Sequence, residues 1–136
     1  MFDDISKERR QLLQDKYEFL KPTLLTEGLM AFGFDCGDGW LPILEDLCDK
    51  IDEELKKSAL IGFKVVQIKE KFGTLRFYVQ DGNKVINELI NAASKKAAIT
   101  CEDCGKPGRR RTLNAGKFHG WVRTQCDGCF TLSTQK

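Results

Sequence analysis

The sequence predicts an α+β fold, in which helices pack around a β-hairpin and a small cysteine-rich module follows at the C-terminus. Three observations predict it. Apolar residues three and four positions apart predict helices at residues 4–20, 40–57 and 83–98. A run rich in β-branched and aromatic residues predicts a hairpin at 63–80. Two C-x-x-C pairs near the C-terminus predict a bound metal ion.

Size and composition agree with this fold. The 136 residues suit one compact domain, or one domain with a small appendage. Apolar residues make up 41% of the chain and charged residues 31%, which is typical of a folded protein and not of a disordered one. There is no run of 18 apolar residues and no apolar core of a signal peptide, so we expect neither a membrane segment nor secretion. We place an α+β domain at 1–99 and the cysteine-rich module at 100–136.

The first helix is expected to end before Pro22, because the residue that precedes a proline avoids helical dihedrals. Its predicted apolar stripe consists of Ile5, Leu12, Leu13, Tyr17 and Leu20. Residues 23–32 could form a short helix. The segment 33–40 reads GFDCGDGW, and its three glycines predict a loop with turn conformations. Asp38 is the expected N-cap of the following helix.

The next two helices have clearer patterns. In 40–57 the apolar positions are Ile43, Leu44, Leu47, Cys48, Ile51 and Leu55, and Pro42 suits the first turn. In 83–98 they are Val85, Ile86, Leu89, Ile90, Ala93 and Ala97, with Asp81 or Asn83 as the cap. Between these helices, the hairpin is expected to turn at KFGT, where Gly73 takes a positive φ. A hairpin alone is marginal, so we expect helices or a further strand to cover it.

The cysteine spacing is the most specific signal in the chain. It is C-x2-C-x21-C-x2-C, formed by Cys101, Cys104, Cys126 and Cys129. Two such pairs predict one tetrahedral Zn2+ site with four thiolates, although iron can take the same ligands. A closed shell of four cysteines leaves no position for water, so we predict a structural site and not a catalytic one.

The segment between the two pairs predicts a second hairpin, with strands at RRRTL and GWVRT. The module is therefore either a zinc ribbon or a treble clef. A treble clef would begin a helix at the second pair, and only FTLSTQK follows that pair. The short remainder favours the ribbon.

The charge of the chain is uneven. Residues 101–136 contain seven basic and three acidic residues, whereas residues 1–100 contain 15 basic and 17 acidic ones. Basic residues beside an aromatic one are typical of nucleic-acid contact. The candidate contacts are Arg109, Arg110, Arg111, Lys117, Trp121 and Arg123. The alternative is that some of these arginines only balance the zinc–thiolate charge of −2 or pair with acidic residues at 45–54.

A second candidate anion patch lies on the first hairpin and consists of Lys69, Lys71 and Arg76. The alternative is that these residues form the solvated face of the hairpin.

Candidate catalytic residues are few. His119 is the only histidine, and it could act as a base for Cys36, although no orienting residue is identifiable. Asp35 and Asp38 could bind a cation, but turn formation and capping explain them more simply. The sequence therefore favours a protein that is not an enzyme.

Four motifs also support a resemblance. The combination of GDGW, KEKFGTLRFY, TCEDCG-x-PG and GWVRTQCDGC resembles small proteins encoded by bacteriophages and prophages, most of which are uncharacterised. The resemblance runs from Gly33 to Cys129, and the four cysteines match the metal pattern of that group. It implies a location in the bacterial host cytosol and a role in phage–host biology.

The functional hypotheses follow from these features. The leading one is a non-enzymatic zinc protein that engages a host macromolecule, either nucleic acid or a protein that handles nucleic acid. The alternative is a counter-defence protein that inhibits a host immune protein or sequesters its small nucleotide signal at Lys69, Lys71 and Arg76. The third is an enzyme that uses the Asp35–Cys36–Asp38 loop.

Overall fold

A computed structural model describes residues 4–22 and 33–135. The short helix considered at 23–32 lies outside this part of the chain. The described residues form four α-helices and two antiparallel hairpins, which confirms the α+β prediction. The elements are α1 (Asp4–Lys16), α2 (Leu41–Lys57), β1 (Lys64–Lys71), β2 (Thr74–Gln80), α3 (Lys84–Ala97), β3 (Arg109–Thr112), β4 (Val122–Gln125) and α4 (Asp127–Thr134).

Helix α1 ends earlier than predicted. Tyr17 is extended, and a 3₁₀ turn follows at Glu18–Leu20. Leu13 and Tyr17 are buried as expected, but Leu12 is 70% exposed, so the predicted stripe is wrong there. The buried face of α1 instead includes Arg10. Leu12 lies about 100° around the helix from Leu13 and falls outside that face.

The prediction that Asp38 caps the following helix is also wrong, and its contact with Arg10 explains why. The guanidinium of Arg10 lies 2.7 Å from Asp38 Oδ1 and donates to the carbonyl oxygens of Phe34 and Cys36. Asp38 also accepts a hydrogen bond from Ser6. Burial alone would raise the pKa of Asp38, but these bonds and the charge of Arg10 lower it. Asp38 therefore fastens its loop to α1 and does not cap α2, whose N-cap residue is Trp40.

Helices α2 and α3 form the centre of the core. Helix α2 has Pro42 in its first turn, as expected, and its buried residues are Leu41, Ile43, Leu44, Leu47, Cys48 and Ile51. Asn83 caps α3 by accepting a hydrogen bond from the Ile86 amide at 2.9 Å. Ile86, Ala93 and Ala97 are buried, whereas Val85 is half exposed and does not belong to the apolar face.

The first hairpin turns at Phe72 and Gly73, whose φ angles of 54° and 78° match a type I′ turn. On its inner face Ile68, Leu75 and Phe77 are buried in the same core as α2 and α3. Lys69 pairs with Arg76 on the opposite face. Among the described residues, the expected cover is thus seen on the inner face.

The glycine-rich loop at 33–40 is joined to this hairpin by a single β-bridge. Asp35 pairs with Lys69 in parallel, because the Asp35 amide donates to the Ile68 carbonyl and the Glu70 amide donates to the Asp35 carbonyl. The loop is therefore held along β1 and faces the cysteine-rich module. Across residues 4–22 and 33–135, no helix combines the length and apolar character that a membrane span requires.

Candidate metal centre

The first cysteine pair lies in a tight backbone knuckle. The Cys101 amide donates to the Lys106 carbonyl at 2.7 Å, and the Gly105 amide donates back to the Cys101 carbonyl at 2.9 Å. Cys101 is fully buried and Cys104 is exposed. Both thiols stay on one side of the turn, as a metal knuckle requires.

The second pair begins helix α4. Cys126 is the N-cap residue, and its sulfur accepts a hydrogen bond from the Cys129 amide at 3.4 Å. This bond lowers the pKa of the Cys126 thiol to about 7. A second pair at a helix start is the treble-clef arrangement, so the preference for a ribbon was wrong. Eight residues are enough for the helix because the cysteine caps it.

The four thiols converge on one point. Their sulfur atoms all lie within 4.8 Å of one another, and Cys104 Sγ lies 3.6 Å from Cys126 Sγ. A tetrahedral zinc site with Zn–S bonds of about 2.3 Å separates its sulfurs by about 3.8 Å. All four cysteines are free thiols. The described residues thus hold a four-cysteine cluster in a metal-binding arrangement.

Arg111 supports the second pair from the strand β3. Its guanidinium lies 3.0 Å from Asp127 Oδ1 and 4.0 Å from the centre of the Phe130 ring. Both partners belong to α4, so Arg111 ties this helix to the hairpin. The side chain of Arg111 is therefore mostly committed to the module.

Arg123 supports the first pair in the same way. Its Nη2 lies 3.0 Å from Glu102 Oε1 and 3.1 Å from Asp103 Oδ1. Gln125 also donates to Asp103, at 2.6 Å. Glu102 is buried, and this burial raises its pKa to about 7 although Arg123 opposes the shift. These contacts orient the knuckle between its two cysteines.

The glycine-rich loop is docked on the knuckle. The Gly39 amide donates to the Glu102 carbonyl at 2.6 Å, and the Gly37 amide donates to Glu102 Oε2 at 3.0 Å. Trp40 is buried and donates from its indole to the Thr100 carbonyl at 2.9 Å. The loop predicted from turn residues is therefore a contact surface for the module.

The tip of the first hairpin forms a second contact. Thr124 is buried in β4 and donates from its hydroxyl to the Gly73 carbonyl at 2.6 Å. A Cβ atom at Gly73 would lie 3.2 Å from the Arg123 carbonyl carbon. Glycine is thus required here both for its positive φ and for the close approach. The division into domains at 1–99 and 100–136 stays a prediction, but the two parts are in direct contact.

The candidate anion contacts differ in what they touch. Arg109, Arg110 and Lys117 are exposed, and they have no carboxylate partner in the part of the chain that is described. Arg111 and Arg123 have the carboxylate partners given above. Lys69, Lys71 and Arg76 also lack a carboxylate partner within the described ranges, and Lys69 Nζ lies 5.8 Å from the Tyr78 ring centre. Contact of either set with an anion stays a prediction.

The candidate catalytic residues have environments that do not favour catalysis. Cys36 is buried, and this burial raises the pKa of its thiol to about 12, so it is not an activated nucleophile. His119 is exposed in the loop between β3 and β4. Asp38 is bound to Arg10. Cys48 is fully buried in the core, as predicted.

Sequence reasoning missed a cleft between the two parts. Phe72 at the tip of the first hairpin and Trp121 beside β4 line a cavity of about 340 Å3, with Lys71 also in its wall. Phe72 is 58% exposed and Trp121 is 56% exposed. The two residues are 49 positions apart, so no local pattern indicates that they meet.

Comparison with known proteins found no match: no protein-family profile, curated protein or solved structure matches the chain.

Proposed function

We propose that the protein is a non-enzymatic binding protein whose C-terminal module is stabilised by zinc. It engages nucleic acid through the surface where this module meets the α+β part of the chain. The four-cysteine cluster supports zinc, because thiolate ligands and near-tetrahedral sulfur spacing suit that ion. The role of zinc would be structural, since four protein ligands close the site.

One observation carries the nucleic-acid proposal. Six of the eight candidate contact cations have no carboxylate partner among the described residues. These cations are Lys69, Lys71, Arg76, Arg109, Arg110 and Lys117. Three of them, Lys69, Lys71 and Lys117, lie 5.5–5.8 Å from the ring centres of Tyr78, Phe72 and Phe118. Unpaired cations favour phosphate contact, and exposed aromatic faces stack with unpaired bases. Cations that already have carboxylate partners contribute less, which is why Arg111 and Arg123 are secondary candidates.

Salt dependence tests the proposal. We expect labelled single-stranded DNA or RNA to bind with an affinity that falls steeply as salt is added, because binding releases counterions. Arg109→Ala with Arg110→Ala should make the slope of log affinity against log salt shallower by about 1.4, at about 0.7 for each lost single-strand contact. Fluorescence anisotropy between 50 and 200 mM salt measures this slope.

The matched control removes two charges that already have partners. Lys50 and Lys56 form ion pairs with Asp46 and Asp52 on α2. Lys50→Ala with Lys56→Ala lowers the net charge equally and should leave the slope unchanged. Equal effects of the two double variants would show that only overall charge matters. Absence of binding at low salt would reject the proposal.

A nucleotide-capture function is the second candidate, favoured by the cleft at Phe72 and Trp121, which could hold a single base. In that case free nucleotides should raise the melting temperature as strongly as an oligonucleotide does. The target would be a host molecule in the bacterial cytosol, which is supported by the motif resemblance alone.

A further inference from the structure

Phe72 has an unusual backbone conformation for its residue type. Its φ of 54° lies in the left-handed region, where a bulky side chain is disfavoured. Type I′ turns strongly prefer asparagine, aspartate or glycine at this position. Phe72 is also 58% exposed, so its burial in the core does not compensate for the strain. A strained, exposed aromatic residue beside a cavity points to a binding role.

Trp121 forms the other aromatic wall of that cavity. It is 56% exposed, and its ring contacts Phe118 at a centroid distance of 4.7 Å. No ring contact joins Phe72 to Trp121 among the described side chains, so the space between them is open. The backbone under both walls is held firmly, because the Thr124 hydroxyl is bonded to the Gly73 carbonyl.

Charge defines how a ligand would lie in this cleft. Lys71 is part of its wall, and Lys69 and Arg76 continue a cationic surface along the outer face of the first hairpin. Glu70 also lines the cleft, where its carboxylate accepts a hydrogen bond from the Gly73 amide at 2.6 Å. A second cavity shares Glu70 and Trp121 with the cleft and is lined by further carboxylates, among them Glu102 and Asp103. Phosphates are therefore attracted to the hairpin side and repelled from the second cavity. A base can enter the cleft while its phosphates stay on the lysine side.

We infer that Phe72 and Trp121 form a stacking slot for one unpaired base of a single-stranded nucleic acid. This inference rests on the proposed nucleic-acid function and adds the selection of single strands over duplexes. A base within a duplex is already stacked and paired, and cannot enter the slot. Strands without pairing should therefore bind more tightly than duplexes of equal length.

Replacement of Phe72 by asparagine separates binding from stability. Phe72→Asn relieves the strain at φ 54°, so the melting temperature should rise by about 2–5 °C. The same change removes one stacking wall, and affinity for a ten-residue oligothymidylate should fall about tenfold. Circular dichroism and fluorescence anisotropy measure the two effects. Ile61→Asn is the control, because Ile61 is 90% exposed and does not line the cleft.

Tryptophan fluorescence reports the stacking directly. Trp40 is fully buried and Trp121 is exposed, so quenching by added oligothymidylate should come from Trp121. Trp121→Ala should weaken binding about tenfold, and Trp121→Phe should preserve it. If Phe72→Asn and Trp121→Ala bind single strands as the unaltered protein does, the slot is wrong although the nucleic-acid function stands. If no strand binds at low salt, both proposals fall.

Discussion

Cys101→Ser is expected to abolish tight binding of one zinc ion per chain and to lower the melting temperature by about 10 °C or more. Only two apolar residues of the module, Cys101 and Leu113, are buried within residues 100–135 as described. A unit with so small a core depends on its metal for folding. In small zinc domains the metal contributes about 10 kcal/mol or more of apparent free energy, so losing even part of it is a large effect.

The loss of structure that follows loss of the metal should extend beyond the module at 100–136. The knuckle at Cys101–Cys104 carries the carbonyl of Glu102, to which the glycine-rich loop is bonded. Chelation of the metal should therefore expose Trp40, and its fluorescence should shift to longer wavelength. Elemental analysis gives the metal content, and circular dichroism gives the melting temperature.

Cys48→Ala is the matched control for this experiment. Cys48 is buried in the core and lies outside the cysteine cluster, so its replacement lowers stability through packing alone. It should keep one metal ion per chain. A Cys101→Ser protein that retained full metal content and an unchanged melting temperature would overturn the assignment of the site.

Much of the fold was predictable because its signals are local. Helices α2 and α3 follow an apolar repeat, and the first hairpin has a glycine at the turn position that needs a positive φ. The cysteine pairs were equally visible, because their spacing alone determines the knuckles. Helix α4 was missed because only FTLSTQK follows the second pair, which suggested too few residues for a helix, whereas the helix begins at Asp127 with Cys126 as its cap.

The features that were not predicted join distant parts of the chain. Arg10 binds Asp38 across 28 positions, and Trp121 shares a cleft with Phe72 across 49. Periodicity identifies which face of an element is apolar, but it does not identify the partner of a buried charge. The role of Gly39 was not predictable for the same reason. The composition of its loop predicts a turn, whereas in the structure Gly39 packs against the Cys101–Cys104 knuckle, more than 60 residues later in the chain.

Gly39→Ala is expected to separate the glycine-rich loop from the knuckle and to destabilise the protein by about 3–5 kcal/mol. A Cβ atom at this position would lie 2.1 Å from the Cys101 carbonyl oxygen and 2.6 Å from both the Glu102 carbonyl oxygen and the Gly105 amide. All three atoms belong to the backbone, so no side-chain rotation relieves the overlap. The hydrogen bond from the Gly39 amide to Glu102 would be lost with the contact.

Gly128→Ala is the control for this change, because a Cβ atom there meets no atom within 4 Å and the residue lies in α4. Alanine should raise the helix propensity at that position by about 1 kcal/mol and leave metal binding intact. In a Trp121→Phe background, Trp40 fluorescence reports docking alone, and only Gly39→Ala should shift it to longer wavelength. An unchanged spectrum and melting temperature for Gly39→Ala would mean that the loop does not pack on the knuckle. The module would then have to be held by Thr124 and Gly73 alone, and Thr124→Val should become the more damaging of the two substitutions.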